Sequence, residues 1–436
     1  MRKGFVFKYD LCVACNACVA ACYLENDGHT PWRTVLSDNV SAYPGLPVHN
    51  LSLACNHCEN PVCLESCPAN AYYIDSETNA VLIDDAKCLG CNYCYWNCPY
   101  DAPQYNKNKG TIEKCHLCIS RMKDMLLPAC VTACPTGALS YDNIEVNGKE
   151  TYNIPPNDLR PALSVENPRK QLDKPFIVPV ETEYSEVKDI SAGKGKKFLH
   201  EWPLAVFSFT SALLFAFTFA AWNGELSVPA GIYTTAVLLN AFISLLHLGK
   251  PIRFFKALNG ISSSPLSREI LAYAAFSGFS IPAMIFNTEV LWVLAFLSGL
   301  LLLVAIDSVY TYSDKRYSIR FHNAQVFLTG LLFASYLVPE PLPFIFILLI
   351  KIAYVLVFKF FRPGKQKFRM LSLIYAAVVI YAAVSLYMPM TELKFMLLFA
   401  ALIIVEFTMR LLFYFDFSPR SMRFEFSKKT IAKNEK

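Results

Sequence analysis

All 16 cysteines of this 436-residue chain lie between Cys12 and Cys134, in four tight groups, and no fold can ignore that arrangement. The groups are Cys12, Cys15, Cys18 and Cys22; Cys55, Cys58, Cys63 and Cys67; Cys88, Cys91, Cys94 and Cys98; and Cys115, Cys118, Cys130 and Cys134. A disulfide framework belongs to short exported chains, whereas repeated two-residue gaps suit metal ligation. A C-x2-C-x2-C loop turns at each pair and wraps three thiolates around one iron–sulfur cube. The cysteine three residues further on then points away to a neighbouring cluster. Pro68, Pro99 and Pro135, each directly after a group's last cysteine, keep the chain extended there. Four structural zinc sites are the competing reading, but zinc favours two separated C-x2-C knuckles, which groups one and three do not offer. Group two leaves too short a gap between its pairs, and group four comes closest to a zinc pattern. On the iron–sulfur reading, sixteen thiolates make four [4Fe-4S] clusters with none to spare.

Behind the cysteines the chain changes character. Overall it is 54% hydrophobic and only 17% charged, against about 25% charged in ordinary soluble domains. The excess sits in eight apolar runs, about 199–222, 230–249, 270–287, 290–311, 323–338, 342–361, 370–388 and 394–416, long enough to approach or cross a hydrocarbon core of about 30 Å. Between the halves, residues 151–197 carry six prolines and no periodicity, the mark of an extended strap. The reading is therefore an α+β polyferredoxin-like domain binding four [4Fe-4S] clusters (1–150), a linker (151–197), an all-α eight-helix transmembrane bundle (198–418) and a basic tail (419–436). Short β-type runs such as Ala80–Asp84 precede cluster loops, and Tyr93, Tyr95, Trp96 and Tyr100 read as packing around a cube.

Charge sorts along the chain. Lys194, Lys196, Lys197, Lys250, Arg253, Lys256, Arg268, Lys315, Arg316, Arg320, Arg362, Lys365, Lys367 and Arg369 flank alternate ends of the runs, and the loops NGELSV, NTEV, VPEPLP and MPMTEL hold no lysine or arginine. By the positive-inside rule both termini and all clusters are expected on the cytoplasmic side of a bacterial inner membrane. Met1–Asp10 shows no apolar export run and no twin arginine, in line with that expectation. The net charge of +5 forms no basic stripe, so nucleic-acid binding is disfavoured.

The front segment, with Pro31-Trp32-Arg33, CNHCENPVCLESCP, CLGCNYCYWNCPYDAPQY and KCHLC, resembles the iron–sulfur electron-transfer subunit of molybdopterin oxidoreductases such as the dimethyl sulfoxide, nitrate, polysulfide and formate enzymes. The resemblance implies crossed ligand sets: Cys12, Cys15, Cys18 with Cys134; Cys115, Cys118, Cys130 with Cys22; Cys55, Cys58, Cys63 with Cys98; and Cys88, Cys91, Cys94 with Cys67. It also implies a separate molybdopterin-containing catalytic partner. His200-Glu201-Trp202-Pro203-Leu204, His247-Leu248-Gly249-Lys250-Pro251 and Ser267-Arg268-Glu269-Ile270 look like the eight-helix, menaquinol-oxidising anchor subunit of dimethyl sulfoxide reductases. The chain thus resembles a fusion of the two subunits, with one departure: the family places its clusters outside, and here the charge pattern puts them inside.

Quinol oxidation releases two protons with two electrons and needs bases at the membrane edge. His247 and Glu269 close one run and open the next, and are the candidates for the proton-accepting pair; Arg253 and His200 are weaker candidates for holding the quinone. Among ionisable residues inside the apolar runs, Glu406 and Arg410 are four apart and expected to pair, while Lys351 either meets Asp307 or lines a proton route. The expected function is menaquinol oxidation from the membrane's lipid and quinone pool, with electrons relayed through four cubes to the catalytic partner. Reverse flow from a dehydrogenase into quinone, and a zinc-stabilised membrane scaffold, are the alternatives.

Overall fold

Strand β1 (Arg2–Lys8), RKGFVFK, is buried from Gly4 to Phe7, so both its faces are covered and it belongs in the middle of a sheet. β8 (Leu139–Ile144) runs antiparallel beside it with Tyr141 opposite Phe5, and β9 (Leu163–Glu166) runs parallel on the other side with Leu163 opposite Phe5. Gly4 permits that approach, because a Cβ there would lie 2.6 Å from the Ala162 carbonyl oxygen. The computed structural model describes residues 2–26, 30–38, 48–145, 158–166, 202–315, 325–338, 341–361 and 391–416, in a front unit that ends at Gly195 and a helical unit, Lys196–Ser418.

β9 lies in the stretch that reads as a featureless strap. Residues 158–166 fold onto the cysteine loops instead: the Ala162 N–H donates to Asn56 O at 2.8 Å, and the Asn60 N–H to Leu159 O at 3.1 Å. Parallel pairing with the start of the chain leaves no local trace in sequence. Three short antiparallel hairpins complete the strands of the front unit: β2 (Thr34–Asp38) with β3 (His49–Leu53), β4 (Tyr72–Ile74) with β5 (Val81–Ile83), and β6 (Gln104–Asn106) with β7 (Thr111–Glu113). β5 is the run expected at Ala80–Asp84. Short helices α1 (Ala17–Glu25), α2 (Val62–Glu65), α3 (Tyr93–Asn97), α4 (Ile119–Lys123) and α5 (Ala129–Thr132) each begin within or beside a cysteine group. Tyr93, Trp96 and Tyr100 are buried, with Tyr93 and Trp96 edge-to-face at 6.1 Å.

The helical unit contains α6 (Trp202–Trp222), α7 (Ala230–Leu245), a 3-10 helix Pro251–Gly260, α8 (Pro265–Phe286), α9 (Glu289–Lys315), α10 (Val326–Leu337), α11 (Pro341–Phe361) and α12 (Glu392–Asp416). Seven of the eight expected runs are thus helices, and the run at 370–388 lies outside the described residues. Three described spans are long and apolar enough to cross a membrane: Trp202–Trp222, Pro265–Phe286 and Glu289–Tyr310. α6 is the hub and packs against α7, α9, α10 and α12. Two glycines let its neighbours close in, since a Cβ on Gly299 would meet the Phe215 ring at 2.6 Å and one on Gly330 would press on Leu303 and Phe215.

Three features depart from expectation. The second run ends as a helix at Leu245, which leaves His247 in the turn beyond it; the third begins at Pro265, earlier than its apolar run; and the loop between them is largely the 3-10 helix, not irregular chain. Arg268 fixes that corner, donating to Ile261 O at 3.1 Å and Ser262 O at 2.7 Å. Glu406, expected to pair with Arg410, is also reached from another helix. Lys351 Nζ stands 2.6 Å from Glu406, and Thr329 accepts from Lys351 at 2.9 Å while donating to Glu406 at 2.9 Å. Arg410 donates to Ser208 at 2.8 Å and lies over the rings of Tyr310, Phe413 and Tyr414. Asp307 accepts from the Val326 and Phe327 N–H groups at 2.9 and 3.0 Å and so caps α10. A partner within one helical turn is sterically easy, but a lysine on another helix removes two buried charges at once. Lys351→Met should therefore cost about 3–5 kcal/mol by stranding the Glu406 carboxylate. The thermal midpoint in detergent should drop, and the Lys351→Met/Glu406→Leu double variant should recover most of it; a single variant as stable as the parent would show that the pair does not stabilise the bundle.

Candidate metal centres

Each cysteine group is built on backbone that ordinary residues avoid. Ala14 and Asn16 in group one, His57 in group two, Gly90 and Asn92 in group three, and Leu117 and Cys118 in group four all have positive φ. These left-handed turns curl the loops and aim main-chain N–H groups at sulfur. His57 N donates toward Cys55 Sγ at 3.5 Å, Ala71 N toward Cys67 at 3.3 Å, Ile112 N toward Cys88 at 3.4 Å, Leu117 N toward Cys115 at 3.4 Å and Leu139 N toward Cys134 at 3.4 Å. Such bonds stabilise a thiolate, and around an iron–sulfur centre they are among the factors that set its potential.

The fold brings the sixteen sulfurs into four neighbourhoods, each drawn from two groups. Cys12 has Cys15, Cys18 and Cys134 as its charged neighbours (site I). Cys115 and Cys118 have Cys22 and Cys130 (site II). Cys58 has Cys55, Cys63 and Cys98 (site III), and Cys94 has Cys67, Cys88 and Cys91 (site IV). The sites form a row, since Cys18 neighbours Cys130, Cys115 neighbours Cys55, and Cys63 neighbours Cys67. A small cavity opens at site II, lined by Cys22, Cys115, Cys118 and Cys130 together with Trp32 and Arg33.

The chemistry of the donors fits a cationic cluster. Burial pushes the Cys63 thiol up to about 12 and Cys118 to about 11, and it holds Cys58, Cys94, Cys98 and Cys115 well above the usual thiol range. A thiolate is too costly there without a compensating cation. Cys134 moves the other way: burial raises it, but the Leu139 N–H and the Thr136 hydroxyl more than offset that. Among the described residues no three His, Cys, Asp or Glu side chains converge on a single ion; a cube holds its thiolates at separate irons and does not ask for such convergence.

Residues that the cysteine spacing does not reveal complete these sites. Arg33, Lys114, His57 and Tyr72 are buried among the sulfurs. His57 Nδ1 accepts from the Val81 N–H at 3.1 Å, and burial together with Lys114 keeps its ring neutral. The local signals were slight: Arg33 stands in the Pro31-Trp32-Arg33 segment and Lys114 directly before Cys115.

The expected quinol residues are distributed over one corner of the helical unit. His247 follows α7, Arg253 sits in the 3-10 helix and Glu269 lies one turn into α8; α8 packs against both of the other elements. His247 Nδ1 donates to the Ser244 carbonyl, which makes Nε2 the basic nitrogen of the neutral ring. Glu269 is buried, and its charged neighbours are Arg410 and Asp307. His200 lies outside the described residues.

A 4Fe-4S dicluster domain family matches residues 47–144. The chain is 33% identical over 187 residues to one of the chains of the anaerobic dimethyl sulfoxide reductase of Escherichia coli, a match covering 41% of this chain and 87% of that one. It is 39% identical over 152 residues to a subunit of the tetrathionate reductase of Salmonella typhimurium, covering 33% and 60% of the respective chains. To a subunit of the sulfite dehydrogenase of Allochromatium vinosum it is 32% identical over 166 residues, covering 33% and 69%. Because the buried thiols are held protonated without metal, cluster loading must expel those protons. Reconstitution with limiting iron and sulfide should give higher occupancy at pH 8.5 than at pH 6.5; equal occupancy would contradict the burial of the ligands.

Proposed function

Since this protein belongs, through its front unit, to the family of iron–sulfur subunits of dimethyl sulfoxide and tetrathionate reductases, we propose that it is the electron-transfer and membrane-anchor subunit of a quinol-linked oxidoreductase. The carrying observation is the row of four cysteine neighbourhoods, each crossing two sequence groups, in a chain that continues into helices apolar enough to cross a membrane. In this reading sites I to IV each hold a [4Fe-4S] cluster, and all sixteen cysteines are ligands. A cube, when bound, takes and gives one electron at a time. The domain bounds are those drawn from the sequence, 1–150 for the clusters, 151–197 for the linker, 198–418 for an eight-helix anchor and 419–436 for the tail, except that residues 158–166 join the cluster domain through β9.

The helical unit oxidises menaquinol, which yields two electrons and two protons. Nε2 of His247 and the carboxylate of Glu269 take the protons, with Arg253 and His200 holding the quinone. The electrons leave singly along the row to a molybdopterin-containing catalytic subunit. The bundle is a multi-pass element of the bacterial inner membrane, with clusters and both termini on the cytoplasmic side, so proton release and substrate reduction share one side. Acidification of the lumen of inverted vesicles during quinol oxidation would overturn that placement.

The purified chain should carry about sixteen irons, four in each of four cubes. Glu269→Gln should slow reduction of the cubes by a menaquinol analogue at least tenfold and leave their reduction by dithionite untouched. Equal quinol-dependent rates would remove Glu269 from the site. The similarity to a sulfite dehydrogenase subunit favours a second reading, in which electrons flow from a dehydrogenase into quinone. Redox titration followed by EPR separates the two, since low potentials at all four cubes favour that direction.

A further inference from the structure

Buried cations in a folded protein are ordinarily matched by a nearby carboxylate, and two in the front unit are not. Arg33 is 2% exposed and Lys114 3% exposed. Neither forms a salt bridge among the described residues, and both lie among sulfurs. Arg33 Nη1 donates to Ser52 Oγ at 3.0 Å, and that hydroxyl sits 3.6 Å from Cys18 Sγ of site I. The remainder of its guanidinium faces Cys22, Cys115 and Cys130 of site II and helps line the cavity there. Nε and Nη2 are buried with no hydrogen-bond partner among the described residues. Five donors on a planar fork, two nitrogens of which are unsatisfied in a cavity walled by four cysteines, require an anion in that cavity. The Phe5 ring stacks beneath the guanidinium at 4.6 Å and prevents it from swinging out.

Lys114 repeats the arrangement one step along the row. Its ammonium donates to Cys55 Sγ of site III at 3.5 Å and to the Cys115 carbonyl of site II at 3.2 Å, and the Val81 carbonyl holds it from behind. Its charged neighbours also include Cys63 of site III and the Cys115 thiol of site II. One cation therefore stands at the I–II junction and one at the II–III junction. At the III–IV junction a neutral residue, Tyr72, lies among Cys63, Cys67 and Cys94.

We propose that Arg33 and Lys114 are potential-setting residues, placed so that site II is flanked by both of them, site I by Arg33 and site III by Lys114, while neither stands at site IV. The inference rests on the four-cube reading of sites I to IV. A cube with its thiolates is an anion that gains one further negative charge on taking an electron. A fixed cation at buried distance stabilises the reduced form more than the oxidised one. The two cations raise the potentials of the sites they touch, site II by both charges, and give site IV no such rise. Neither residue touches the membrane reaction; both act through the cubes.

The test uses the full-length protein in detergent, titrated with dithionite and ferricyanide and followed by EPR, with iron counted per chain. Arg33→Met keeps roughly the side-chain volume and removes the charge. It should lower the potentials of one or two of the four signals by a factor of ten or more in the reduction equilibrium, about 59 mV for a one-electron couple, and leave the others in place. Arg33→Lys, which keeps the charge, should move them much less. Lys114→Met should lower a pair of signals that shares one member with the Arg33 pair, the shared member being site II. It tests the same claim if Arg33→Met does not fold. Unchanged potentials in Arg33→Met with full iron, equal shifts in Met and Lys variants, or shifts confined to a single non-shared cube in both would overturn the inference. A parent protein without four cubes would instead overturn the four-cube reading.

Discussion

Nine of the sixteen cysteines are buried, and their thiols can become thiolates only beside something that cancels the charge; the architecture of the front unit fits that requirement. Ligands for one centre come from two sequence groups, so the loops around Cys12–Cys22 and Cys115–Cys134 must meet, as must those around Cys55–Cys67 and Cys88–Cys98. The pairing of β1 with β8 closes the first of these circuits, bringing Phe7 against Leu139, five residues after Cys134. Between them the short hairpins do little more than return the chain to its next cysteine. The apolar core is thin, because the space other domains fill with aliphatic side chains is here arranged around sulfur.

The row of sites is a consequence of the same crossing. When the fourth cysteine of a group reaches the neighbouring centre, two centres share a backbone loop and cannot drift apart. Cys18 and Cys22 lie on one helix, α1, yet serve sites I and II. Cys63 lies within the single turn of α2 and Cys67 two residues beyond it, and they serve sites III and IV. Within the pairs I–II and III–IV proximity is thus fixed by i to i+4 geometry on a helical turn, whereas sites II and III meet by long-range packing of Cys115 near Cys55, and distance is what governs transfer of an electron between centres.

The cysteine spacing announced the metal centres, the crossed sets followed from a family resemblance, and the apolar runs announced the helices, because each is a local pattern with a strict period. What was illegible is non-local. Nothing near Leu163 marks it as the parallel neighbour of Phe5, since its prolines and charges describe a strap equally well. Glu406 and Arg410 carry the right signs and spacing for a pair, but Lys351 on another helix reaches the carboxylate and Arg410 turns to Ser208 and three aromatic rings. Helix ends were off by several residues where a proline or a 3-10 segment altered the boundary, which moved His247 out of its helix and Glu269 further into the next.

The two units solve one electrostatic problem in opposite ways, and the contrast bears on Arg33. Lys351 is buried in an apolar bundle, and the chain supplies its counter-charge in full: Glu406 at 2.6 Å, with Thr329 bridging. Arg33 is buried to the same degree, and the described residues supply a serine, an aromatic ring and four cysteine neighbours, but no carboxylate. Stranding a guanidinium costs several kcal/mol, comparable to a large share of a domain's net stability. A sequence that can place a glutamate against Lys351 could have placed one against Arg33. That it surrounds Arg33 with thiols instead supports the proposal that the anion is a cluster bound by those thiols, with the arginine part of its electrostatics as the cysteines are of its coordination.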